Sequence, residues 1–176
     1  MLLTAIWAGL HVISAMMWLG GGILFGAFIA PALGKLSPQA SGEFFVKIIP
    51  RVMRFFQIVA LTTVVFGILL LYNITNGDIG SLSPTASWYG FDITFGVLFA
   101  AIAFVLSEAV SVPALGRVVR LIKELQTSGQ AHPTPQLPRA IRLATWTAYS
   151  TVLLLIITLA FMVSAGFYWP STLPPP

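Results

Sequence analysis

The sequence predicts an all-α membrane protein, a bundle of four transmembrane helices. Of its 176 residues 57% are hydrophobic and 8% are charged, whereas a soluble domain carries about a quarter charged residues. Four apolar stretches are each long enough to cross roughly 30 Å of hydrocarbon, which takes about 20 residues in a helix. Helices are predicted because an open sheet would leave backbone groups unpaired in lipid.

The first span contains no Asp, Glu, Lys or Arg, and the third continues as an amphipathic helix to about Gln126. The four spans run approximately from Leu2 to Leu33, Phe44 to Tyr72, Tyr89 to Leu115 and Arg139 to Trp169. The linkers between them are too short for a soluble catalytic domain. Residues 1–176 are therefore predicted to form one integral membrane domain.

An internal repeat relates the two halves of the chain. The motif PALG followed by a cation occurs at 31–35 and at 113–117, and the motif PRxxR occurs at 50–54 and at 138–142. Both motifs stand between apolar helices in the same order, which predicts two duplicated helical hairpins related by an axis along the membrane normal. The two repeats span about 1–76 and 88–170.

Prolines recur at the same places in both repeats. Pro50 and Pro138 suit the first turn of a helix, where the missing N–H costs no hydrogen bond. Pro31 and Pro113 are predicted to kink the first and third spans near the cytoplasmic surface.

The cations predict the orientation of the chain. All nine lie at or between the ends of spans 1–2 and 3–4: Lys35, Lys47, Arg51, Arg54, Arg117, Arg120, Lys123, Arg139 and Arg142. Basic loops stay in the cytoplasm. A multi-pass protein of the plasma membrane is therefore predicted, with loops 34–54 and 116–142 cytoplasmic and both termini extracytoplasmic.

Several classes of chemistry are excluded. The chain has no cysteine, so it has neither a disulfide framework nor a thiolate metal site. It contains no HExxH, GxSxG, Walker or dinucleotide-binding motif. The net charge of +4 comes from the cytoplasmic loops and is explained by topology rather than by nucleic-acid binding.

His11 is the only ionisable side chain in the first span, and a polar group at membrane depth is a functional candidate. Neutral imidazole is a good axial ligand for haem iron and for copper. A helix places Ser14, Trp18 and Gly22 on the same face, and the glycines at 20–22 allow a planar cofactor to approach the backbone. The sequence therefore predicts a cofactor site with His11 as metal ligand, lined by Ser14, Trp18, Gly21 and Gly22. Alternatively, His11 makes a hydrogen bond to a neighbouring helix.

Two acids in the third span are candidates for a second shell or a proton relay. The repeat places Asp92 at the level of His11, where it could orient the imidazole, although a carboxylate at a helix start is also favoured by the helix dipole. Glu108 lies deeper and could relay protons or bind a cation. Alternatively, it pairs with an arginine near the helix ends.

If a haem has a histidine ligand on each face, the arrangement of histidines predicts an oligomer. His132 is in a cytoplasmic loop, on the opposite side of the membrane from His11, so the two cannot ligate one metal within one chain. Two copies of His11 across a dimer could do so.

The pattern His11-x6-Trp18-Leu19-Gly20-Gly21, followed by an apolar run to Pro31, resembles the first helix of the copper-resistance D (CopD) family of membrane proteins. The segment 54–61, leading to Gly67, resembles that family's following helix, and the layout is also similar to the HemJ-type protoporphyrinogen oxidases. The resemblance implies a small helical bundle with a histidine in its first helix. It also implies copper uptake for the former family and haem b for the latter. His11 is the residue that carries over.

The leading functional prediction is a b-type haem-binding membrane protein for electron transfer, with His11 as an axial ligand. One alternative is copper uptake or handling through His11, and another is a cofactor-free accessory subunit. Expected partners are the lipid bilayer and either further copies of the chain or a larger membrane complex. The sequence leaves open whether the chain is an enzyme.

Overall fold

A computed structural model describes residues 2–85, 87–128 and 135–168. Within these ranges there are five helices and a short 3₁₀ turn, Ile79–Leu82, and no strand. The helices are α1 (Leu2–Leu33), α2 (Pro38–Lys47), α3 (Ile49–Ile74), α4 (Trp88–Ser128) and α5 (Gln136–Phe167). All of them except α2 are long and apolar enough to cross a membrane. The prediction of an all-α bundle with four membrane-length helices is confirmed.

The long helices pack as two hairpins. α1 packs along α3, and α4 packs along α5, so each pair belongs to one half of the sequence repeat. The hairpins meet where α1 approaches α5. A Cβ atom added to Gly22 would lie 2.9 Å from Val152 Cγ2, and one added to Gly26 would lie 3.3 Å from Tyr149 Cε1. Two glycines four residues apart let two apolar helices approach closely without a hydrophobic driving force between them.

The predicted second span divides into two helices. α2 begins where Ser37 Oγ accepts a hydrogen bond from Ala40 N at 3.2 Å, and it ends at Lys47. α3 begins at Ile49 with Pro50 in its first turn, as predicted. Proline disfavours helical geometry in the residue before it and has no N–H to continue a helix. The boundary therefore falls between 47 and 49, inside the apolar stretch predicted from Phe44.

Helix α2 lies against the C-terminal part of α4. A Cβ atom on Gly42 would lie 2.7 Å from Gln126 Nε2, so the two helices touch at this glycine. On the exposed side of α2, Lys47 Nζ donates to Glu43 Oε2 at 2.8 Å. This bond and the lysine charge hold the pKa of the Glu43 carboxyl below its usual value.

Helices α1 and α4 each contain a π turn at the same place in the repeat. The turns are Phe25–Ile29 and Ser107–Ser111, and each ends two residues before the proline of the PALG motif. A proline ring collides with the carbonyl four residues earlier in an α-helix. A π turn has wider hydrogen-bond spacing and relieves this contact. The prolines predicted to kink these helices are thus accommodated by π turns.

The N-terminal end of α4 is closed by the 3₁₀ turn. Ser87 Oγ accepts a hydrogen bond from Gly90 N at 3.0 Å, which caps the helix. Thr94 Oγ1 donates to Leu82 O at 3.2 Å. Tyr89 is buried between Leu82 and Ala165. The backbone of the turn therefore lies directly against the first two turns of α4.

Candidate functional site

His11 is a residue of α1, and its side chain contacts α3. Its Nδ1 atom lies 2.8 Å from the carbonyl oxygen of Thr63. The ring lies on Gly67, where an added Cβ would be 2.9 Å from both Cε1 and Nδ1. Because a carbonyl oxygen only accepts, this contact assigns a proton to Nδ1, and in the neutral tautomer with that proton the lone pair is on Nε2. Nε2 has no hydrogen-bond partner within the described residues.

This arrangement fits a metal-ligating histidine. Such residues commonly donate one ring N–H to a backbone carbonyl, which fixes the tautomer and the ring orientation for the other nitrogen. The alternative from the sequence, a hydrogen bond from His11 to a neighbouring helix, is also present. The two are compatible because the bond to Thr63 uses only Nδ1.

The other residues predicted to line the cofactor site have hydrogen-bond or packing partners within the protein. Ser14 Oγ donates to Leu10 O of its own helix at 2.7 Å. Trp18 is 3% exposed and packs edge-on against Phe104 of α4. A Cβ on Gly21 would lie 3.1 Å from the ring of Phe56 in α3, and Gly22 faces α5. His11 thus contacts α3, while Trp18 and Gly22 border a separate cavity described below. A shared slot beside His11 stays a prediction.

Asp92 lies near the N-terminal end of α4 and is 6% exposed. Its Oδ2 atom is buried without a hydrogen-bond partner within the described residues. The structure gives His11 Nδ1 to the Thr63 carbonyl, and no hydrogen bond joins Asp92 to His11. The role of Asp92 in a second shell or a proton relay stays a prediction.

Glu108 is the second residue of the π turn in α4. Its Oε2 atom accepts a hydrogen bond from Gln57 Nε2 at 3.2 Å, while Oε1 is buried without a hydrogen-bond partner. No salt bridge to Glu108 occurs in the part of the chain that the structure describes. Its neighbour is therefore an amide of α3 rather than an arginine. Sequence reasoning missed Gln57, although an amide inside an apolar span was a usable signal.

The pair of Gln57 and Glu108 gives a stability prediction. Gln57→Leu leaves a buried carboxyl with no protein partner, which we expect to cost about 1–3 kcal/mol of unfolding free energy. The double variant Gln57→Leu/Glu108→Leu leaves no polar group, so it should regain most of that loss. Unfolding in detergent, followed by circular dichroism, measures both. Equal stability of the single and double variants would contradict the assignment.

An apolar cavity of about 370 Å³ lies among all five helices, at the level of the PALG and PRxxR motifs. Both π turns border it, through Phe25 and Gly26 of α1 and through Ser107 and Ser111 of α4. Tyr149 Oη donates to the carbonyl oxygen of Gly26 at 3.1 Å and so ties α5 to the first π turn. The cavity has the size of a small-molecule site, but His11 does not line it.

The described residues contain no group of three or more His, Asp or Glu side chains that could hold a metal ion. His132, the second histidine of the sequence, lies outside the described ranges.

No protein-family model, curated protein or solved structure matches the chain. The comparisons therefore assign no family, and the resemblance to CopD and HemJ proteins depends only on the residues quoted for it. The function has to be argued from the geometry.

Proposed function

We propose that the chain is a multi-pass plasma-membrane protein that binds a b-type haem for electron transfer, with Nε2 of His11 as an axial ligand. The observation that supports this is the 2.8 Å contact between His11 Nδ1 and the Thr63 carbonyl oxygen. It prepares the imidazole as a neutral, oriented donor within an apolar helix pair. The distribution of cations supports an orientation with both termini extracytoplasmic.

The helix pair restricts how the ring can turn. Gly67 leaves just enough space for the ring, so a rotation of the imidazole would break its bond to Thr63 or meet the α3 backbone. The acceptor is a main-chain oxygen in the middle of a helix, which cannot reorient as a side chain would. The direction of the Nε2 lone pair is thus fixed before a ligand arrives, and this reduces the cost of binding.

The second axial ligand comes from a second copy of the chain. Within the described residues His11 is the only histidine, and the predicted position of His132 is across the membrane. A dimer with two-fold symmetry would present the same side chain from each copy, and His11 is half-buried rather than enclosed. When bound, the haem would supply reversible one-electron chemistry. The residues of the chain would supply its ligation and an apolar surrounding.

The test is an absorption spectrum of detergent-purified protein, oxidised and then reduced with dithionite. We expect a Soret band and a sharp reduced α-band, and His11→Ala should lose both. His132→Ala is the matched control, and we expect it to keep the wild-type spectrum. Size-exclusion profiles of both variants show whether the fold persists. A Soret band of equal intensity in His11→Ala would overturn the proposal.

Metal analysis of the same sample separates the alternatives. Copper bound in stoichiometric amount without a Soret band, and lost in His11→Ala, would replace haem by copper handling. Neither haem nor copper would exclude both cofactors and favour an accessory subunit. In that case the Thr63 bond would serve only to join α1 and α3.

A further inference from the structure

A second pocket lies where α4 and α5 approach each other at their cytoplasmic ends. Its volume is about 360 Å³. It is lined by Ala114, Arg117, Gln136, Arg139, Ala140 and Leu143. None of these residues borders the apolar cavity, so the two spaces are separate. This pocket shares no residue with the proposed haem site.

The pocket carries two positive charges without a carboxylate. Arg117 Nη2 donates to Gln136 Oε1, a neutral amide oxygen, at 3.1 Å, and Arg139 has no hydrogen bond or ion pair within the described residues. Glu124, the only acid on the cytoplasmic part of α4, lies 3.8 Å from Arg120 instead. Two guanidinium groups with spare N–H donors are suited to a phosphate, which each can bind through two bonds.

In the first hairpin, the counterpart of Arg139 has a hydrogen-bond partner. In the repeat, Arg51 is the counterpart of Arg139. Arg51 Nη1 donates to the carbonyl oxygen of Lys47 at 3.2 Å, and Lys47 pairs with Glu43 at 2.8 Å. Those interactions come with α2, and the second hairpin has no counterpart of α2 in its described residues. Within the described residues, Arg139 thus lacks the backbone acceptor that its counterpart Arg51 has.

The apolar part of the pocket distinguishes a lipid from a soluble anion. Ala114 and Ala140 are each 6% exposed and form a narrow floor, and Leu143 continues the surface along α5 into its apolar span. On the side of the pocket opposite Leu143, α5 begins at Gln136, and this N-terminus is the positive end of the helix dipole. A ligand with a phosphate at one end and an acyl chain at the other fits this polarity. Basic pockets between transmembrane helices on the cytoplasmic side bind such headgroups.

We propose that this pocket binds the phosphate of an anionic phospholipid of the cytoplasmic leaflet, between Arg117 and Arg139. The acyl chain lies over Ala140 and Leu143. The site does not depend on the haem proposal, because it uses no residue near His11.

Native mass spectrometry of the full-length protein, titrated with phosphatidylglycerol, tests the proposal. Both pocket arginines would donate charge-assisted hydrogen bonds directly to the phosphate, so Arg117→Gln/Arg139→Gln should weaken the tightest adduct roughly tenfold or more. The matched control, Arg120→Gln/Lys123→Gln, removes the same charge from α4 outside the pocket and should change affinity less than about twofold. Ala140→Leu keeps both arginines, and by filling the floor it should also weaken binding.

Three results would overturn the proposal. The pocket variant and the control could lose affinity equally, which would indicate a diffuse charge effect. Phosphatidylcholine could bind as tightly as phosphatidylglycerol. Inorganic phosphate alone could displace the lipid completely, which would indicate a soluble-anion site.

Discussion

Replacing Gly90 by alanine should destabilise the bundle strongly. The new Cβ would lie 2.5 Å from the carbonyl oxygen of Ser83 and 3.1 Å from that of Leu82. Both obstacles are backbone atoms, which cannot rotate away as a side chain can. The turn is also held to α4 by Thr94. Either this bond or the start of α4 must shift, and we expect a loss of about 2–3 kcal/mol, typical of overpacking at a rigid site.

Gly20→Ala and Gly9→Ala are the matched controls. An added Cβ meets nothing within 4 Å at either glycine, and alanine is the better helix former by roughly 0.5–1 kcal/mol. Both variants should be as stable as the wild type or slightly more so. Thermal unfolding of the four proteins in one detergent measures the difference. An unchanged midpoint for Gly90→Ala would show that the turn does not rest on α4 as the structure has it.

Gly67→Ala should weaken cofactor binding more than it lowers the stability of the fold. Its Cβ would lie 2.9 Å from Cε1 and Nδ1 of His11, so the ring has to turn away from the Thr63 carbonyl. Substitutions that remove the second-shell hydrogen bond of a ligating histidine typically lower metal affinity about 10–100-fold. We expect haem affinity to fall by a similar factor, while the unfolding midpoint changes less than in Gly90→Ala because a side chain yields more easily than backbone.

Haem titration into apoprotein, followed at the Soret band, measures this effect. Gly9→Ala serves as the control here, since it adds the same methyl group to the same kind of helix without touching His11 or the glycines at 20–22. Haem affinity equal to the wild type in Gly67→Ala would mean that the Thr63 bond does not orient the ligand. His11→Ala would then test whether His11 ligates the haem at all, because it removes the ligand itself.

The long-range plan of the fold could be predicted because lipid imposes it. Span length, apolar composition and the absence of charge from Leu2 to Leu33 are direct consequences of crossing hydrocarbon, and the structure gives the first helix those bounds. The end of α2 at Lys47 was not predicted, although Pro50 was a usable signal. Apolarity alone does not distinguish a short amphipathic helix from the start of a span.

The contacts of the candidate site were less predictable. His11 could be selected as a polar residue at membrane depth, but its partner is a backbone oxygen, which every residue possesses. The sequence therefore gives no signal that Thr63 is the hydrogen-bond partner. Gly67 is one of 15 glycines, and only the packing of α1 on α3 distinguishes it. Glu108 could be selected as an acid inside an apolar span, whereas its pairing with Gln57 depends on how the two hairpins meet.

Each π turn divides its helix, α1 or α4, into two segments whose side chains follow different rotational registers around the helix axis. A π turn holds one residue more than an α-helical turn, and one residue corresponds to about 100° of rotation. A helical wheel drawn through all of α1 therefore misplaces every side chain beyond Phe25–Ile29 by about a quarter turn. The segment before the turn brings His11 to α3 and Trp18 and Gly22 to the apolar cavity, and the segment after it brings Ala30 and Leu33 to the same cavity in a different angular register. With a second turn at the matching place in α4, each half of the membrane has its own angular register.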